Sequence, residues 1–493
     1  MTSDTTLAGR REWLGLAVLV LPALLASLEL TVTHLALPAI GRDLDASSTQ
    51  LLWIVDGYAF TLAGTLAVLG TLGDRIGRRR LLLTGALAFS VLSAVAAVAP
   101  NPEVLVAVRA LLGVAGATLM PSVLALAVAM FPDARQRTQA VGIVVAAVSA
   151  GTAIGPLVGG WLLDHFWWGS AFLLPIPLML ALLVVGPMTL PEHRAPGRRG
   201  LDLPSAAVSI LTVLPVVYGL KQVAADGPDV AAAAAVLLGL GAGWAFVRRQ
   251  QRLADPMIDL RLFASPALTT ATLTLVLGIF VLWGTNYAVA QYLQLVAGLT
   301  PLAAGLWTAP SAFGVIAGSL GATRLARRVP AGRIIGGGLL VATAGFGVLA
   351  SIGPATPLGV LVTGTVVVSA GLGPMMALAT DLVVGSAPPD RAGAASAIAS
   401  TAPQLGGGLG IAVLGSVITL TYRSGVDTAG PAGDTLAHAV AAAAALPPDA
   451  GAALLTAARA AFTAGFGVSA LVAAAVTLAT TAAVLRVLRP RTP

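Results

Sequence analysis

The chain has 493 residues, 57% hydrophobic and 10% charged, with a mean hydropathy of +0.91. A soluble domain carries about a quarter charged residues, so this composition belongs in lipid. It has no cysteine, which excludes disulfides and thiolate chemistry, and its four histidines (34, 165, 193, 438) show no metal-ligand spacing. The net charge of +7 reads as membrane topology rather than as a nucleic-acid surface.

The first apolar run, Trp13 to Ile40, exceeds the ~20 residues that cross a bilayer. It is too long for a signal-peptide core of ~7–15 residues and reads as a retained first span. It contains LELTVTHLALP (28–38), with Glu29 near the middle. A carboxylate at the centre of a spanning helix costs ~2.5–3.5 kcal/mol on the insertion scale, so an acid kept there needs a reason. Thr33, one turn on, shares its face and can bond the carboxyl group. His34 projects about 140° away around the helix and reads as a helix–helix hydrogen-bonding residue. The second run carries a second acid, Asp56, in LLWIVDGYAF.

Hydropathy predicts fourteen spans, at 13–39, 50–72, 80–99, 104–131, 138–163, 167–188, 203–221, 229–248, 268–296, 301–323, 331–352, 357–384, 392–420 and 462–486. The fold class is therefore an all-α, multi-pass integral membrane protein. With the N-terminus in the cytoplasm, only Arg42, Lys221, Arg423 and Arg459 of the 28 Lys and Arg fall outside, and Arg109 falls inside a span. That positive-inside bias needs an even number of spans and puts both termini in the cytoplasm. The segment 189–202, LPEHRAPGRRGLDL, is rich in Pro, Gly and Arg and reads as a cytoplasmic connector between halves. The longest loop, 421–461, lies outside, and its alanine-rich stretches can form short surface helices. A Gly-then-basic pattern in GTLGDRIGRRR (70–80) returns weakly in GATRLARRVPAGR (321–333), as in transporters built from repeats.

Three further stretches carry physical meaning. In the 70–80 loop, Gly77 permits a tight turn, Asp74 can cap a helix or pair with an arginine, and Arg75 and Arg78 anchor the loop to the cytoplasmic face. In GIVVAAVSAGTAIGPLVGG (142–160), small residues let helices approach closely and Pro156 invites a bend. Arg109, about five residues into its span, keeps its charge at any accessible pH. It either pairs with a buried acid and tunes Glu29 or Asp56, or snorkels to the outer interface.

These motifs resemble the major facilitator superfamily. Gly70, Asp74, Arg75, Gly77 and Arg78 match its G-x-L-x-D-R-x-G-R-R loop. Gly142, Gly151, Gly155, Pro156, Gly159 and Gly160 match, without a gap, the motif found in its antiporters, G-x8-G-x3-G-P-x2-G-G. The segment 28–38 resembles the first-span motif of the fourteen-span drug–proton antiporters, L-D-x-T-V-x-N-x-A-L-P, with Glu29 for Asp and His34 for Asn. Trp53 to Asp56 and Gln291 to Gln294 also match this branch, and the likeness is greatest to pumps for quaternary ammonium biocides, dyes and fluoroquinolones. The resemblance implies a first six-span bundle (1–188), the connector 189–202, two additional central spans (203–248) and a second six-span bundle (249–493). One departure stands out. Some relatives in this branch carry acids in spans 10 and 13, whereas here Ser311–Val315 and Ala399–Gln404 hold none.

The expected function is proton-coupled efflux of lipophilic, cationic compounds across the cytoplasmic membrane by a monomer that uses the proton gradient and no cofactor or metal. Burial brings a carboxyl group closer to titrating at physiological pH, so Glu29 and Asp56 are expected to face a central cavity where proton and substrate compete. Trp53, Tyr58, Trp283, Tyr287, Trp307 and Phe313 are candidate aromatic faces for a cation, with Gln291 and Gln404 as polar neighbours. Alternatives are a dedicated exporter of an antibiotic or metabolite made by the cell, uptake by symport, and a non-transporting membrane receptor. Against an enzyme, the sequence has no nucleophile elbow, phosphate loop or metal constellation.

Overall fold

The computed structural model describes residues 8–192, 202–227, 229–253, 256, 259–386, 392–426 and 431–488. Most of the connector 189–202, at 193–201, and part of the outer loop, at 427–430, lie outside the described residues, as does the side chain of Asp74. Every regular element among the described residues is helical, with a 3-10 helix at Leu260–Ala264 and a π-helix at Tyr292–Val296 beside the α-helices. In order they are α1 (Arg10–Asp43), α2 (Ser48–Ile76), α3 (Arg78–Ala97), α4 (Pro102–Gly116), α5 (Leu119–Met130), α6 (Ala134–His165), α7 (Ser170–Leu173), α8 (Pro175–Thr189), α9 (Leu203–Asp226), α10 (Val230–Arg252), α11 (Pro266–Gln291), α12 (Pro301–Leu325), α13 (Ala331–Ala350), α14 (Leu358–Gly385), α15 (Ala392–Gly425), α16 (Pro431–Asp434), α17 (Leu436–Ala445) and α18 (Pro448–Val487).

The helix starts are written in the sequence. Ser47 and Gln50 form a reciprocal capping box at α2, Asn101 precedes Pro102 at α4, and Thr300 precedes Pro301 at α12. In each case a side-chain oxygen accepts an orphan backbone N–H, and proline at the first helical position gives up a donor that had no partner. In lipid this completeness matters, because no water is present to satisfy a bare backbone group.

Two cores form. One gathers residues from Leu16 to Leu190, the other residues from Leu262 to Val484. Leu35 joins the second core, and Tyr287 and Ile411 join the first, so these three mark where the two bundles touch. The hairpin of α9 and α10 packs through α9 against the seam of α2 and α15, where Val217 meets Phe60 and Ala412. At its base, Arg249 pairs with Asp202 at 2.7 Å and donates to Ser205 Oγ at 3.0 Å. The outer faces carry exposed apolar residues such as Leu87, Val91, Val184, Leu237 and Leu240, the surface that acyl chains would cover.

Eleven stretches among the described residues are long and apolar enough to cross a membrane. The helices α2, α6 and α9 are not among them, although they run 29, 32 and 24 residues. The expected span 104–131 is two helices. Thr118 bonds back to Ala115, and Pro121 cannot donate to the preceding turn, so the chain breaks between α4 and α5. The last span also differs from expectation. Helix α18 begins at Pro448 and runs 40 residues, so much of the expected outer loop is its continuation, and α16 and α17 fold beside it.

Candidate functional site

The charged centre lies in the first bundle. Arg109 of α4 is fully buried and pairs with Glu29 of α1, which is 4% exposed. Arg109 Nη1 donates to Glu29 Oε1, and Nε donates to the carbonyl of Ile54 at 2.8 Å. The guanidinium carbon lies 4.5 Å from the Tyr58 ring centroid and 5.7 Å from that of Phe172. Of the two fates the sequence left open for Arg109, snorkelling is excluded by this burial. Three helices therefore converge on one cation: α1 supplies a carboxylate, α2 a backbone carbonyl and an aromatic face, and α7 a second aromatic face. Glu29 Oε2 and Arg109 Nη2 are buried without a hydrogen-bond partner. Asp56 is fully buried on α2.

A cavity of about 60 Å³ lies where the bundles meet. The first bundle contributes Thr31, His34 and Pro156, and the second contributes Asn286, Thr308, Ser311 and Thr365. A site of this size holds small polar groups or a few waters, not a drug-sized molecule. Glu29 and Asp56 are not among the residues that line it. The helical period accounts for Glu29: it and His34 point about 140° apart, so α1 turns the histidine to the cavity and the acid into the bundle. For His34, read from the sequence as a helix–helix hydrogen-bonding residue, the structure shows the edge of the Tyr287 ring as its neighbour. His34 is 7% exposed, and its Nε2 has no hydrogen-bond partner.

The remaining expected residues scatter. Tyr287 lies edge-on to His34, with ring centroids 6.3 Å apart, and accepts from Gln291 at 2.9 Å. Thr33 is buried, and Tyr58 serves the arginine rather than the cavity. Trp53 and Gln404 are half-buried, and Trp283 packs its ring over Gly407. Phe313, 68% exposed, and Trp307 are exposed on α12 and are not among the residues lining this cavity. Asn286, Thr308 and Thr365 do line it, and sequence reasoning missed them. An amide inside the apolar stretch of α11 was the signal available for Asn286.

The glycine-rich segment of α6 is an interface on two sides. A Cβ at Gly151 would fall 2.3 Å from the Leu24 carbonyl oxygen, one at Gly155 would fall 1.9 Å from Thr31 Oγ1, and one at Gly159 would fall 2.8 Å from Val32. On the other side, Gly160 abuts Pro301 and Leu302, and the Pro156 carbonyl oxygen lies 2.0 Å from where a Cβ of Gly305 would be. Helix α6 therefore lies flush against α1 and bridges to α12 of the second bundle. Gly142 faces open space and takes no part. Beyond the cavity, Gln294 donates to the Leu35 carbonyl at 3.0 Å, a further tie between bundles.

At the opposite end, Gly77 turns α2 into α3 at φ +111, a conformation that side chains rarely adopt. Glu192 packs against this turn. It accepts from the backbone N–H of Arg79 at 3.2 Å and lies 3.7 Å from the side chains of Arg79 and Arg80. Arg79 also donates to the Leu190 carbonyl at 3.1 Å. The sequence offered arginines in this loop but not their acid, which arrives from the start of the connector. Gly70 borders open space, and Arg75 is exposed.

Known proteins resemble this arrangement. The Major Facilitator Superfamily profile matches residues 19–411. The multidrug efflux pump LfrA of Mycolicibacterium smegmatis is 43% identical over 491 residues, covering 98% of this chain and 97% of LfrA. The methyl viologen resistance protein SmvA of Salmonella typhimurium is 34% identical over 473 residues, covering 92% of this chain and 93% of SmvA. In fold, a crystal structure of a bacterial homologue of the human lysosomal transporter Spinster superposes with a TM-score of 0.68 at 18% identity, covering 98% of this chain and 100% of that one.

Proposed function

This chain belongs to the Major Facilitator Superfamily, and we propose that it is a proton-coupled multidrug antiporter that exports lipophilic, cationic compounds from the cytoplasm. Its relatives include efflux pumps and resistance proteins, so it is a multi-pass membrane transporter rather than an enzyme. The observation that supports the coupling is the buried Glu29–Arg109 pair inside the first bundle. A buried ion pair is a poor stabiliser, because desolvation cancels most of its attraction. Its presence is better explained by a charge that changes during the cycle.

In this reading, a proton arriving from outside neutralises a carboxyl group in the first bundle. With Glu29 protonated, Arg109 loses its counter-charge, and the local field turns against a cationic cargo, which leaves. Release of the proton to the cytoplasm restores the Glu29–Arg109 pair, and the buried acid Asp56 again draws a cation to the seam. Exchange follows if the empty, deprotonated carrier does not switch sides. The bundles rock against each other along α6 and α12, where glycines and Pro156 permit close sliding contact. Helices α2, α6 and α9 complete fourteen crossings, with both termini on the cytoplasmic face of the cell membrane and one chain as the working unit.

The test is ethidium efflux from a pump-deficient bacterial strain expressing the chain. Efflux that stops when a protonophore is added supports the proposal. Efflux that persists with the proton gradient collapsed and ATP maintained, or no efflux of any lipophilic cation, overturns it.

A further inference from the structure

Helix α10 turns most of its surface away from the protein. Along its length only Ala232, Gly239 and Gln250 are buried. One face carries a stripe of graded character. Leu237, Leu240, Gly241, Trp244, Arg248 and Arg252 follow one another at three- and four-residue steps, so they share that face, and all six are exposed. The stripe is apolar at one end, aromatic in the middle and cationic at the other. A Cβ at Gly241 would meet nothing within 4 Å, so the glycine leaves a notch between the leucines and Trp244. Trp244 is 63% exposed, and the guanidinium carbon of Arg248 lies 4.8 Å from its ring centroid. A cation held by a ring face spends none of its N–H groups, so Arg248 keeps its donors. Arg249, between the two outward arginines, is taken by Asp202 and Ser205. Among the described residues neither Arg248 nor Arg252 has an acidic partner. The length of the stripe is that of half a bilayer. Leu237 to Arg252 covers ~22 Å at ~1.5 Å per residue, and one leaflet has ~15 Å of hydrocarbon and ~5–7 Å of headgroup. Tryptophan favours the boundary between those two layers, where Trp244 would stand.

We propose that this stripe is a binding site for an anionic phospholipid. Arg248 and Arg252 hold the phosphate, Trp244 meets the glycerol backbone, and one acyl chain lies along Leu237, Leu240 and the notch at Gly241. Guanidinium groups bond phosphate through paired N–H donors, and two of them leave a net positive field that an anionic headgroup satisfies. A choline headgroup brings its own cation and gains less from that field. The other cytoplasmic-loop arginines described above differ in this respect: Arg79 and Arg80 share Glu192, and Arg249 holds Asp202. Helix α10 packs on α9, and α9 on the seam of α2 and α15, so the bound lipid lies on the outer side of the hairpin that covers this seam. The inference does not depend on what the protein transports.

The experiment titrates the full-length protein in a neutral detergent with palmitoyl-oleoyl phosphatidylglycerol or with phosphatidylcholine of the same acyl chains, and reads bound lipid by native mass spectrometry. Two arginines without acidic partners should make the first phosphatidylglycerol bind at least about tenfold more tightly than the first phosphatidylcholine. Arg248→Gln with Arg252→Gln should bring the two affinities within about twofold of each other. Arg327→Gln with Arg328→Gln removes the same charge from exposed arginines beyond α12 and should leave the preference intact. If the first double variant does not fold, Arg248→Gln alone should cut the preference at least about threefold. Equal affinity for both lipids in the unaltered protein overturns the inference, as does a preference that survives loss of Arg248 and Arg252. An equal loss in the Arg327 and Arg328 variant also overturns it, because net charge rather than a site would then set the preference.

Discussion

Glu29 and Arg109 should behave as one unit when the bundle unfolds. Glu29→Gln keeps an oxygen near Nη1 but removes the counter-charge from a fully buried guanidinium. Removing one partner of a buried pair costs ~3–5 kcal/mol. The Ile54 carbonyl at 2.8 Å and the Tyr58 ring at 4.5 Å remain, and a desolvated cation–π contact is worth ~2 kcal/mol. The loss should therefore lie at the lower end, about 3 kcal/mol. Arg109→Gln leaves the carboxylate without its cation and the Ile54 carbonyl without its donor, for a loss of similar size. The double variant has no charge to strand, so it should lose less than the sum of the two. A double-mutant cycle on denaturant unfolding in mixed micelles should give a coupling of about 2 kcal/mol or more. Independent sites add within ~0.3–0.5 kcal/mol. Additivity at that level would refute the pairing argument.

Two further predictions follow from the packing and the charges. Gly155→Val places branched carbon where a Cβ alone would already fall 1.9 Å from Thr31 Oγ1, so α1 and α6 must separate. Overpacking costs ~1–3 kcal/mol, and folded yield and efflux should both fall, whereas Gly142→Ala, in open space, should leave yield unchanged. The second concerns Asp202. Burial raises its pKa, but hydrogen bonds from Ser205 and Arg249 and the charge of Arg249 outweigh this and hold it below the usual carboxylate range. A depressed carboxyl stabilises the fold above its unfolded pKa, and that stability is lost as pH falls through the folded value. Acidification below about pH 4 should thus loosen the α9–α10 hairpin, as read by hydrogen exchange at Arg249 and Gln250, and Arg249→Leu should abolish that acid step.

How much of this was visible in the sequence depended on distance along the chain. Apolar runs and their caps announced the helices, because Ser47, Asn101 and Thr300 act on N–H groups three residues away. The small residues of α6 announced a close contact, since only they permit one, but not that its two sides meet α1 and α12. Glu29 and Arg109 were each conspicuous as charges in lipid, yet their partnership spans 80 residues and no local pattern records it. Glu192 was invisible for the same reason, since it reaches 113 residues back to Arg79. The aromatic candidates on α12 carry no local mark of their role, because an exposed face in a membrane protein is apolar too, so Phe313 looks alike whether it meets substrate or lipid. His34 has the helical angle of a packing residue, and angle alone does not tell a neighbouring helix from a gap between bundles.

The central claim is that buried carboxyl groups in the first bundle link proton movement to export. Its most direct measurement is substrate-driven proton flux in proteoliposomes carrying a pH-sensitive dye, with the unaltered protein, Glu29→Gln and Asp56→Asn compared at equal incorporation. Addition of ethidium should drive a proton current through the unaltered protein, and each substitution should reduce it by at least about tenfold. Undiminished flux through both variants would contradict the account.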